Sequence, residues 1–116
     1  MKSSAEILTE AYAAFNRRDI DGVLSLMSTE VDWPNGWEGG YVHGHDEVRA
    51  YWTRQWAALD PHVEPVRITE GALGETVVDV HQVVRGRAGN IVADQMVQHV
   101  YTMRDGIIAR MEIRTV

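Results

Sequence analysis

Hydrophobic positions change their period partway along the chain. Over the first half they recur at helical spacing, and beyond Pro61 they alternate as strands do. The spacing predicts a helix over 3–17, opened by Ser3 with Glu6 three places on, a capping-box pattern, and burying Ile7, Leu8, Ala11, Tyr12 and Phe15. A shorter helix follows Asp19, a candidate N-cap, with Ile20, Val23, Leu24 and Met27 as its apolar stripe. Ser28-Thr29-Glu30 reads as a turn and Val31-Asp32-Trp33 as a short strand stopped by Pro34. The glycine-rich stretch 34–42 reads as a loop. A third helix runs from about Gly44 to about Leu59, with Val48, Tyr51, Trp52, Gln55 and Trp56 along one side. Asp46 and Glu47 at its start suit the helix dipole.

Four β-rich segments follow: His62–Glu70, Thr76–Arg85, Ile91–Met103 and Ile107–Thr115. Asp105-Gly106, between two apolar runs, is the strongest hairpin signal. Helices first and antiparallel strands afterwards give an α+β fold with the helices on one face of a sheet. Three short helices cannot cover four long strands, so a concave sheet closed at one end by helices would keep a cavity. No repeat or linker divides the chain, and one domain over 1–116 is expected.

Composition narrows the function classes. The net charge of −6, with Arg17-Arg18 as the one adjacent basic pair, argues against a nucleic-acid partner, which needs clustered cations. No apolar run approaches the length of a membrane span, so no membrane association is expected, and the N-terminus lacks the apolar centre of a signal peptide; cytoplasm is the default location. With no cysteine there is no thiolate nucleophile, disulfide or thiolate metal site. His43, His45 and Asp46 form H-x-H-D in a turn, but no further ligand cluster accompanies them, so no metal and no cofactor is expected.

The order of these pieces carries a resemblance. "RRDIDGVLSLMSTEVDW", "VHGHDEVRAYW" and "VYTMRDGIIARM", taken together and in this order, resemble the SnoaL-like and ketosteroid-isomerase-like branch of the nuclear-transport-factor-2 (NTF2-like) superfamily. The resemblance implies a cone-shaped fold: three N-terminal helices on a strongly curved, mainly antiparallel sheet that encloses a pocket. It implies a small-molecule ligand and a homodimer through the outer sheet face, here Met96, Gln98, Val100, Glu112 and Arg114. It also implies where an isomerase would keep its machinery, and this chain departs at each place. The base position, just before the proline, holds Trp33, with Asp32 one residue earlier and so on the opposite face. The second acid falls at about His99, and the helix tyrosine near Ala11, with Tyr12 beside it. Steroid isomerisation therefore does not carry over.

If His99 faces inward, alternation turns Gln95, Val97, Tyr101 and Met103 the same way, and the alignment turns Met111, Ile113 and Thr115 inward. With Trp33, Trp52 and Trp56 these residues form an apolar, aromatic lining of the kind that holds a small hydrophobic ligand. His99 is the candidate acid or base, because its ordinary pKa lies near neutrality, with Tyr12 or Tyr101 to stabilise negative charge. The competing reading is a buried histidine bonded to Tyr101 or a backbone carbonyl, and Tyr12 and the pair Trp52 and Trp56 are equally explained as core. Whether His81 or Gln82 faces the pocket stays open, since Val77–Val84 is apolar in both phases. Two function classes follow: a cofactor-independent isomerase, cyclase or hydrolase acting on a small apolar carbonyl or polycyclic compound, or a non-catalytic ligand-binding or dimeric structural module.

Overall fold

The computed structural model describes residues 2–115. Ser3 caps helix α1 (Ser4–Asn16), accepting from the Glu6 amide at 3.1 Å while the Glu6 carboxylate accepts from the Ser3 amide, the reciprocal box expected from the spacing. Asp19 caps the short helix α2 (Ile20–Leu24) through the Gly22 amide. Strand β1 (Met27–Pro34), strand β2 (Tyr41–His43) and helix α3 (Gly44–Ala58) follow, and the chain ends in β3 (Leu59–Glu70), β4 (Thr76–Gly86), β5 (Ile91–Arg104) and β6 (Ile107–Thr115). The turn between β5 and β6 has φ of 55° at Asp105 and 79° at Gly106, the left-handed pair that a two-residue hairpin matched to strand twist requires.

The six strands form one curved, unclosed sheet in the order β2-β1-β6-β5-β4-β3. Every neighbouring pair is antiparallel except β1 with β6, so the sheet is mixed. Three expectations differ from the structure. Met27 opens β1 rather than closing a helix, and Ser28-Thr29-Glu30 is strand rather than turn. The cause is irregular pairing. Met27 is opposite Ile108 and Asp32 opposite Arg110, so β1 spends five steps where β6 spends two, and the polar residues bulge away from the ladder. Tyr41–His43 also pairs with β1 inside the segment expected to be loop.

All three helices contribute to one apolar cluster against the inner face of the sheet. Leu8, Tyr12, Val23, Val48 and Trp52 meet Val31, Val78, Val80, Val97, Tyr101 and Met111 there. The outer face carries the opposite phase of each strand, including Asp79, His81, Gln98 and Glu112. Among the described residues no helix is long and apolar enough to cross a membrane.

Candidate functional site

The sheet and helices leave a cavity of about 800 Å³. Its deep wall comes from α1 and the facing strands. Helical spacing turns Tyr12 toward the sheet, and strand alternation turns His99 and Tyr101 toward Tyr12. The Tyr101 hydroxyl donates to the Tyr12 oxygen at 2.8 Å, and the Tyr12 hydroxyl lies 2.7 Å from His99 Nδ1. The Tyr12 and His99 rings stack at 5.9 Å, and Tyr101 meets Tyr12 edge-on. All three side chains are buried.

Proton counting orders this chain. A tyrosine hydroxyl has one hydrogen to give. With Tyr12 accepting from Tyr101, giving its own hydrogen to His99 Nδ1 is the arrangement that leaves no hydroxyl hydrogen of the chain unpartnered, and it is the assignment adopted for the ring. That leaves the imidazole proton on Nε2. Burial lowers the His99 pKa to about 4, so the ring is neutral near pH 7. Burial likewise raises Tyr12 and Tyr101 above the ordinary phenol value, in Tyr12 with help from Tyr101, so both stay protonated. His99 Nε2 has no protein partner among the described residues, yet it is not one of the fully enclosed orphan atoms; it opens on the cavity. In this assignment the relay runs one way, Tyr101 to Tyr12 to His99, and ends in an imidazole donor on the cavity wall. Each bond polarises the next in such a chain.

Around this donor the walls are aromatic. Trp33 meets Trp52 edge-on at 5.6 Å, and Phe15 and Tyr51 complete that side. Met111, Ile113 and Thr115 line the side formed by β6. Among the described residues no Asp, Glu, Lys or Arg lines the cavity. The mouth is shaped by the segment between β1 and β2. Asn35, itself buried, accepts from the Trp37 and Glu38 amides and donates to Glu38, whose carboxylate is held by Arg54 of α3. The Gly36 and Trp37 amides also face the Tyr51 hydroxyl. The loop is thereby clamped to α3, with Trp37 and Tyr41 half-exposed at the rim.

Of the residues expected at the site, His99, Tyr12, Tyr101, Trp33, Trp52, Gln95, Val97, Met111 and Ile113 line the cavity. Trp56 and Met103 do not. Trp56 lies one turn beyond Trp52 and stacks on its far side at 5.7 Å, closed in by Phe15 and by the Arg18 guanidinium at 5.0 Å. Met103 lies past Tyr101 at the closed end, where β5 slips register against β6 and the core fills the space. Gln82 faces in, and His81 faces out to Asp94 at 2.7 Å. Tyr51 and Gln55 were visible as polar interruptions on the stripe of α3, and that was the signal for a lining role. His43 and His45 turn apart: His43 donates to Asp32 at 2.8 Å, and His45 donates to the Met27 carbonyl at 3.0 Å. Among the described residues no three His, Cys, Asp or Glu side chains come together as a metal site would need.

Comparison with known proteins places this geometry. The profile of the SnoaL-like domain family matches residues 8–111. No curated protein sequence gives a significant match. Among solved structures, an NTF2-like protein of unknown function from Burkholderia pseudomallei superposes with a TM-score of 0.85 at 27% identity, over 100% of this chain and 92% of its own. TerC, co-crystallised with polyporic acid, superposes with a TM-score of 0.83 at 30% identity, over 97% and 90%. A Mycobacterium tuberculosis protein in complex with estradiol-17β-hemisuccinate shares the fold at a TM-score of 0.81 and 17% identity, over 95% and 91%.

Proposed function

Because the chain belongs to the family of SnoaL-like domains, we propose that it binds a small, largely aromatic molecule and polarises one of its oxygen atoms through His99. One observation carries the reading: the hydrogen-bonded series Tyr101–Tyr12–His99 ends on an imidazole that lines the cavity, where none of the described lining residues is Asp, Glu, Lys or Arg. A neutral imidazole there is a donor. It suits a carbonyl or hydroxyl oxygen and strengthens as negative charge develops on that oxygen, the electrophilic half of an isomerisation or cyclisation. This gives His99 the role of donor rather than base, since its free position already bears the proton and its basicity is low. Proton abstraction would fall to the ligand or to water, as no Asp or Glu among the described residues lines the cavity. Ligand binding is therefore the part of the reading with most support, and turnover is the extension of it.

The cavity volume lies within the usual range for small-molecule sites, roughly 300–1,000 Å³. We further propose that a second copy of the chain docks on the outer sheet face. All three helices pack in the cluster on the inner face, and on the outer phase of β5 Met96, which also reaches the cavity rim, is 44% exposed near the half-buried Gln98.

Polyporic acid, the compound crystallised with the 30%-identical TerC, is the first probe. Its binding is read from quenching of Trp33 and Trp52, which line the cavity. Wild-type protein is expected to bind it, and His99→Leu to bind it about tenfold more weakly, the loss of one good hydrogen bond. Equal affinity in the two proteins would remove His99 from the site.

A further inference from the structure

Cross-strand register arranges the cavity wall in layers. Val78 pairs with His99, Val80 with Val97, and Gln82 with Gln95, each pair directed to the inner face. The His99 layer is polar, the valine layer above it is apolar and buried, and the glutamine layer nearer the mouth is polar again. On the outer face the Gln98 amide is satisfied by Asp79 at 2.9 Å. The inward side chains of Gln82, half-buried, and Gln95, exposed, stand side by side at the cavity mouth and make no hydrogen bond to the protein among the described residues. A primary amide both donates and accepts, and covering it without supplying a partner costs free energy. A ligand long enough to displace water from these amides gains by bringing a polar atom to the mouth as well as to His99. Four residues of β5 separate His99 from Gln95, which at the usual strand rise sets the two polar layers about 13 Å apart.

We propose that the cavity selects an elongated, uncharged aromatic molecule with an oxygen function at each end, one on His99 Nε2–H and the other on the Gln82–Gln95 amide pair. The proposal rests on the ligand-binding reading of the same cavity and adds the ligand's length and its second polar end. The described lining residues include no Asp, Glu, Lys or Arg, which suits a molecule uncharged between its ends, and Val97 between His99 and Gln95 suits an apolar middle.

Fluorescence titration with 4,4″-dihydroxy-p-terphenyl, 4-hydroxy-p-terphenyl and 4,4′-dihydroxybiphenyl tests this. Wild-type protein is expected to bind the dihydroxyterphenyl about tenfold more tightly than the monohydroxy compound, and more tightly than the shorter biphenyl. In the Q82L/Q95L double variant the preference for the dihydroxy compound should disappear or reverse, with the monohydroxy compound bound at least as tightly as by wild type, which also certifies the fold of the variant. Equal binding of the two terphenyls by wild type, or a preference that survives in Q82L/Q95L, would overturn the amide subsite while leaving the ligand cavity intact. Failure of all three compounds and of polyporic acid to bind would overturn the ligand-binding reading itself.

Discussion

Replacing Tyr12 by Phe removes one oxygen and orphans two partners. The Tyr101 hydroxyl, at 2.8 Å, loses its acceptor, and His99 Nδ1, at 2.7 Å, loses its donor. The Phe ring keeps the stacking on His99, so the change is almost purely one of hydrogen bonding. Each buried group left without a partner costs about 1–3 kcal/mol, so Y12F is expected to destabilise the fold by about 2–4 kcal/mol. Tyr101→Phe orphans nothing, because Tyr12 keeps its bond to His99, and should cost about 1 kcal/mol. The double variant spares Tyr101 its orphaned hydroxyl, so its cost should fall below the sum of the singles by about 1 kcal/mol or more. Urea unfolding of the four proteins, with equal m-values, measures the cycle. Additive effects, or a Y12F cost under about 0.5 kcal/mol, would show that the three side chains do not form a connected relay.

The remaining predictions concern other parts of the molecule. His99 holds a folded-state pKa of about 4 against an ordinary 6.5, so the unfolded chain takes up a proton first as pH falls. Stability from this group is complete above about pH 6.5, declines toward pH 4 by about 3 kcal/mol, and changes no further below that. Unfolding of His99→Gln should have a shallower slope across this window, and an unchanged slope would disprove the assignment. Asn35→Ala removes the clamp on three loop partners and should cost about 1–2 kcal/mol, with faster amide exchange confined to 36–40. Sedimentation should find a dimer at micromolar concentration, converted to monomer by Met96→Lys on the outer face. A wild-type monomer would exclude that interface.

Much of the architecture was legible because local signals agreed. The Ser3–Glu6 box, the Asp105-Gly106 turn and the alternation along 91–103 each specify local geometry whatever the rest of the chain does. Ser28-Thr29-Glu30 misled because a bulged strand exposes polar residues just as a turn does. At the site, alternation was enough to group Gln95, Val97, His99 and Tyr101. It failed for Met103, where a register slip and the closed end of the core intervene. Trp52 and Trp56 share a helix stripe, and only tertiary packing decides that one faces the cavity and the other the Phe15–Arg18 side. Gln82 was undecidable for a related reason: with valines on both phases of β4, its direction depends on pairing with Val63 and Gln95. The hydrogen-bond direction through Tyr12 was beyond sequence reasoning, since it follows from the meeting of residues 87 and 89 positions apart.

In the assigned relay His99 is a neutral imidazole with its proton on Nε2, offered to the cavity. Nitrogen-15 NMR of histidine-labelled protein at pH 7 tests it directly, with the His99 signals assigned by loss in His99→Gln. The account predicts a protonated, pyrrole-type Nε2 and an unprotonated, hydrogen-bonded Nδ1, unchanged down to about pH 5. An imidazolium at pH 7, or a proton residing on Nδ1, would contradict it.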